Sequence, residues 1–165
     1  MRPHRFALAC LMAVAAIGLA ACGQQPQDAG EAPQAREITR ASSQTFGEHV
    51  VHFNAQSTTM LPAEVARAYG ITRSENRAML NIAVIHKDAQ GRGTPVAAEV
   101  DVSAINLLNQ AKNIRMRELR EDQAIYYIGE FNVSDEETLN FTITVRPEGS
   151  ATPHEITFSQ QFFTD

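Results

Sequence analysis

Apolar and polar residues alternate with a period of two through most of the chain beyond residue 79. Leu80, Ile82 and Val84 alternate with Asn81, Ala83 and Ile85, and Val96, Ala98, Val100 and Val102 alternate with Ala97, Glu99 and Asp101. Ile125, Tyr127, Phe131 and Val133 share one phase, and Ile156, Phe158 and Phe162 share another near the end. The clearest run is Leu139, Phe141, Ile143 and Val145 against Asn140, Thr142, Thr144 and Arg146. One apolar face opposite one wet face is the pattern of antiparallel strands with a single side on a core.

Turn-forming residues separate these runs at hairpin spacing. Asp88-Ala89-Gln90-Gly91-Arg92-Gly93, Ser134-Asp135-Glu136-Glu137 and Pro147-Glu148-Gly149-Ser150 each break the alternation. With Gly47–Asn54 and Asn113–Arg117 added, about seven strands are expected. Within about 120 residues, that number predicts a mainly β protein, an antiparallel β-sandwich.

One segment follows a helical rule instead. Pro62-Ala63-Glu64-Val65-Ala66-Arg67-Ala68-Tyr69 stops at Gly70, with proline in the first turn and glycine just past the last residue. The spacing predicts a short helix after the first strand, with Leu61, Val65 and Tyr69 facing the sandwich. Two turns do not stand alone in water, so packing must hold them.

The segment Asp122-Gln123-Ala124-Ile125-Tyr126-Tyr127-Ile128 is similar to the entry of strand F in immunoglobulin-like domains. Tyr126 would then make the corner hydrogen bond, and Ile128 would stand where such domains carry a cysteine. The opposite phases of Tyr126/Ile128 and Ile125/Tyr127 require burial on both faces or a bulge. The expectation is an immunoglobulin-like sandwich without the antibody-type disulfide.

The N-terminus carries a different hydrophobic pattern. Arg2 and Arg5 precede an apolar run from Phe6 to Gly18, which ends in Leu19-Ala20-Ala21-Cys22. At 13 residues the run is short of the ~20 needed for a membrane-spanning helix. Charged start, short apolar centre and small-residue exit describe a signal peptide over 1–21. The exit resembles the lipobox of bacterial lipoproteins, which implies lipid, palmitate included, on Cys22. Gly23 in place of Asp after that cysteine is similar to the pattern that permits transfer to the outer membrane. Residues 22–44 are rich in Gln, Ala, Pro and Gly, with Ile38 their one large aliphatic residue, and are expected to form a flexible tether. About 22 residues of coil span about 25 Å on average. The sandwich domain is expected over 45–165.

Charge and cysteine content narrow the functions. Loss of residues 1–21 removes Arg2 and Arg5 but no acid, taking the formal net charge from −5 to −7. Such a chain does not suit nucleic acid or anionic lipid surfaces. Cys10 and Cys22 are the only cysteines, so after processing and lipidation neither a disulfide nor thiolate chemistry remains.

Several separated segments carry a family resemblance. They are Val51-His52-Phe53-Asn54, Ala63 through Ser74, Thr94 through Val100, and Arg117 through Tyr127. Together they resemble the domain of unknown function 4426 family of Gram-negative envelope proteins. The resemblance implies a small exported β domain. It implies no activity and transfers no site residue.

The remaining candidates come from the residues themselves. His49 and His52, three apart on a strand, point to opposite faces and do not chelate together, so no metal site or cofactor is expected. Asp135, Glu136 and Glu137 lack a glycine-containing ligand loop and read as a solvated turn rather than a calcium site. Arg73, Arg77, Arg115 and Arg117 suit an anion pocket or ion pairs with Glu75, Glu118, Glu121 and Asp122. No serine sits in a nucleophile motif, so no enzyme activity is expected. Two functions fit. One is a noncatalytic module, held to the membrane by lipid on Cys22 on the periplasmic side of the outer membrane, that binds an envelope protein through His52, Asn54, Glu64, Tyr69, Arg73 and Arg77. The other is a ligand or metal carrier using His52, Asn54 and the arginines.

Overall fold

The computed structural model describes residues 42–164. The signal segment, Cys22 and most of the tether lie outside the described residues. Nine strands are present among the described residues: β1 (Ser43–Phe46), β2 (His49–Ser57), β3 (Arg77–Lys87), β4 (Gly93–Pro95), β5 (Ala98–Asn106), β6 (Arg117–Glu121), β7 (Ala124–Asn132), β8 (Glu137–Pro147) and β9 (His154–Phe162). A 3₁₀ turn (Thr58–Met60) and helix α1 (Ala63–Ala68) lie between β2 and β3.

The strands form two antiparallel sheets. The larger has the order β1-β2-β3-β7-β6, with β4 paired to β3 past the end of β7; the smaller has the order β5-β8-β9. The inward residues are those the alternation selects. Leu80, Ile82 and Val84 from β3, Leu139, Phe141, Ile143 and Val145 from β8, and Ile156 from β9 are essentially inaccessible to water. Phe141 sits at the centre, stacked on Phe158 at a centroid distance of 4.7 Å and edge-on to Phe131 at 5.6 Å. The sandwich is thus as expected, with two short strands, β1 and β4, beyond the anticipated seven. β1 also takes up Ser43 and Gln44, which the composition had grouped with the tether.

Three local expectations are corrected. The strand anticipated at Asn113–Arg117 lies instead at Arg117–Glu121. Residues Ile114 and Met116 pack on the core in its place, with their side chains directly over Gly129 of β7. A Cβ at Gly129 would stand 2.5 Å from Met116 Sδ and 2.6 Å from Ile114 Cγ2, so this closure depends on glycine. The tyrosine whose hydroxyl reaches backbone is Tyr127, not Tyr126: its oxygen accepts from Ala98 N at 2.7 Å and donates to Glu118 at 3.1 Å. The residues before it form a tight β6–β7 hairpin, Glu121 opposite Ala124, with Asp122 at φ +49°. Finally, α1 is shorter than expected, and Ala66 is its buried residue, with Leu61 and Tyr69 beside it but Val65 outside the cluster. Gly70 follows at φ +63°, the left-handed end that a side chain resists.

Candidate functional site

The outer face of the larger sheet is divided in two. Over β3, β7 and β6 it carries a second apolar cluster of Ala66, Ile71, Met79 and Ile128, flanked by Leu61, Tyr69, Leu119 and Tyr126. This explains the double phase of Ile125 to Ile128, since β7 is buried by the core on one side and by α1 on the other. Over β1, β2 and the middle of β3 the outer face lies beyond that cluster and mixes the exposed His52 and Asn54 with the buried Val50. There His52 and Asn54 line a shallow depression with Ser42, Phe53, Asn81 and Ala83. Asn54 Nδ2 donates to Gln56 Oε1 at 3.1 Å, whereas the buried Oδ1 of Asn81 has no hydrogen-bond partner among the described residues.

The other four candidates surround α1, each engaged differently. Tyr69 donates its hydroxyl to Glu121 Oε2 at 2.6 Å, a bond that raises the phenol above its ordinary range, aided by burial and the carboxylate charge. Arg117 Nη2 donates to the carbonyl of Tyr69, so β6 holds the C-terminal end of the helix twice. Arg73 Nη2 donates to Thr59 O at 2.9 Å, and Arg77 pairs with Glu130 at 3.2 Å, not with Glu75. Glu130 also accepts from Thr72 N, while Arg77 Nε is buried without a partner among the described residues. Glu64 is exposed in the first helical turn. The loop beneath is fastened by Thr58, fully buried, whose Oγ1 accepts from Ser74 N at 2.9 Å and lies 3.1 and 3.2 Å from the carbonyls of Ser74 and Arg77. The arginines do not converge with His52, and the depression around His52 contains no arginine.

Two groupings were not legible in the sequence. Glu137 is no solvated turn residue. Its side chain is 10% exposed, and its carboxylate accepts from Lys112 Nζ at 2.7 Å, Ser134 N at 2.9 Å and Asn106 Nδ2 at 3.1 Å. Burial pushes this carboxyl up, but the three donors together hold it below the ordinary range. Asn106 in turn accepts through Oδ1 from Leu108 N and Gln110 N, shaping the turn after β5. This anchor ties the β5–β6 crossing to the start of β8.

The second grouping joins histidines from three strands. His49 is directly opposite His86 in the β2–β3 ladder, with ring centroids 5.3 Å apart. His154, which opens β9 in the other sheet, stands 6.3 Å from His49 and stacks on Phe46 at 4.4 Å. Burial pushes the proton affinity of His49 down, as do the charges of His86 and His154, against an opposing effect of Glu48. His86 lies near the end of β3 and His154 at the start of β9, and these ends meet. His52 is on the opposite face, also as the alternation requires.

No helix among the described residues is long and apolar enough to cross a membrane. The model of the family described as "Domain of unknown function (DUF4426)" matches residues 43–165. A solved structure of a protein of that family from Pseudomonas aeruginosa PAO1 is 32% identical, with TM-score 0.63, covering 74% of this chain and 94% of that one. FetP of uropathogenic E. coli strain F11, expressed recombinantly in the periplasm of E. coli, is similar in fold at TM-score 0.54. That similarity covers 76% of this chain and 95% of FetP at 9% identity. No curated protein matches the chain.

Proposed function

The chain belongs to the DUF4426 family, and from that premise we propose that it is a noncatalytic binding module tethered by lipid on Cys22 to the periplasmic side of the outer membrane. The observation that carries the tethering is Leu19-Ala20-Ala21-Cys22 after a short apolar run, followed by Gly23. A lipidated cysteine with more than one acyl chain holds a protein far more firmly than one chain alone. The tether then presents the sandwich in the aqueous space beside the membrane.

The binding surface is the part of the outer face of β1, β2 and β3 around His52 and Asn54, together with the exposed residues of α1. His52 and Asn54 lie exposed there, beside Asn81, whose buried side-chain oxygen Oδ1 has no hydrogen-bond partner among the described residues. Around α1, the exposed Glu64 and Arg73 add charges of opposite sign, which suits a polar protein surface. The partner is an envelope protein in this reading. A carrier that gathers His52 with the arginines is less well supported, because their depressions are separate.

The reading is tested in living cells with a photocrosslinking residue at Asn54, and a control at Asp101 on the outer face of the smaller sheet. A discrete protein adduct at 54 and none at 101 supports it. Equal, diffuse labelling at both positions would contradict it.

A further inference from the structure

We propose that His49 and His86 form a two-imidazole site for a borderline divalent metal ion, Zn²⁺ or Cu²⁺, with His154 of the opposite sheet recruited as the third ligand. The site stands apart from the proposed binding face, because His49 points inward where His52 points out, and its test is independent of that reading.

The ladder sets the pair. Lys87 N donates to Glu48 O at 2.7 Å, which makes Glu48 and Lys87 the hydrogen-bonded pair. His49 and His86, the next pair along, are then the non-hydrogen-bonded kind, in which facing side chains stand closest. A metal ion bound at about 2.0–2.1 Å to one nitrogen of each of two imidazoles places the ring centroids about 5 Å apart at a tetrahedral angle. The observed separation is 5.3 Å.

His154 completes the set from the other sheet. Its ring is already 6.3 Å from His49, and all three histidines are half-buried at one end of the sandwich. Among the described residues no three ligands stand closed around an ion position. Closure therefore requires His154 to turn about its side-chain torsions, leaving its stack on Phe46. The ligand chemistry favours zinc or copper over calcium or magnesium, since imidazole nitrogen is the donor and no carboxylate ring surrounds the site.

The test uses the protein purified from the envelope in detergent, titrated with zinc chloride or copper sulfate in a non-coordinating buffer and followed by calorimetry. One ion per chain at low-micromolar affinity or tighter is expected. His86→Gln should weaken binding by about tenfold or more, while His52→Gln should leave it unchanged. His86→Phe keeps the ring bulk, so equal melting temperatures of that variant and the parent without metal separate ligand loss from misfolding. Copper-loaded parent protein should show nitrogen hyperfine splitting by electron paramagnetic resonance, and His86→Phe should show coupling to one nitrogen fewer. Absence of binding in the parent, or equal loss in His52→Gln and His86→Gln, would overturn the site.

Discussion

Replacing Glu137 by Gln tests whether the crossing from β5 to β6 hangs on one buried carboxylate. Three donors converge on that group, from Lys112, Ser134 N and Asn106, at 2.7–3.1 Å, and the Glu137 and Lys112 side chains are only 10% and 18% exposed. An amide accepts through one oxygen only, so at least one donor is left facing an NH₂ group, and Lys112 loses its counter-charge. A hydrogen bond to a charged group contributes about 1.5–3 kcal/mol, and removing one partner of a fully buried pair costs about 3–5 kcal/mol. This pair keeps some contact with water, so a loss of about 2–3 kcal/mol is expected near neutral pH. Urea unfolding followed by circular dichroism measures it, as a midpoint lowered by about 1–2 M. The pH dependence has a definite sign. The folded-state carboxyl is held below its unfolded value, so its stabilisation is complete above the unfolded value and disappears as pH falls through the folded one. The difference between parent and variant should therefore shrink in acid. Lys112→Met added to Glu137→Gln should cost less than the sum of the two alone, since both remove the same pair. A variant within about 0.5 kcal/mol of the parent at neutral pH, or a difference that persists undiminished in acid, would refute the anchor.

The other predictions concern core, closure and loop. Phe141→Ala should lose about 3–5 kcal/mol, or about 10–20 °C in melting temperature, whereas Thr142→Ala next to it should lose under about 1 kcal/mol; equal melting of the two would refute the strand phase. Gly129→Ala should cost about 1–3 kcal/mol by crowding Met116 and Ile114, and a neutral result in thermal unfolding would show that those side chains do not close the core there. Thr58→Val keeps the shape but strips the bonds to Ser74, and chemical denaturation should register about 1–3 kcal/mol of loss.

Much of the sandwich was legible because strand periodicity is a one-dimensional signal. In β8, Leu139, Phe141, Ile143 and Val145 carry their burial in their spacing. The double phase at Ile125–Ile128 signalled a strand covered on both sides, though what covers it was visible only once α1 was placed. Leu61, Val65 and Tyr69 fit a helical stripe, yet on so short a helix the small Ala66 makes the close approach, because the flat sheet beneath already carries Met79 and Ile128. Strand β6 escaped detection since Arg117, Glu118, Arg120 and Glu121 are exposed and only Leu119 packs, against the cluster under α1, leaving almost no apolar alternation. The groupings of Glu137 with Lys112, and of His49 with His86 and His154, depend on register and on how two sheets meet. Residues 25, 37 and 105 positions apart have no spacing rule to bring them together. The His86 partner of His49 follows from register alone once β2 and β3 are paired.

The most direct test of the tethered-module account is metabolic labelling with palmitate of cells producing the parent chain or Cys22→Ser, followed by membrane fractionation. The account predicts labelled parent protein in the outer membrane, and unlabelled variant in the soluble periplasmic fraction. Label that persists in Cys22→Ser, or parent protein that is unlabelled and soluble, would contradict it.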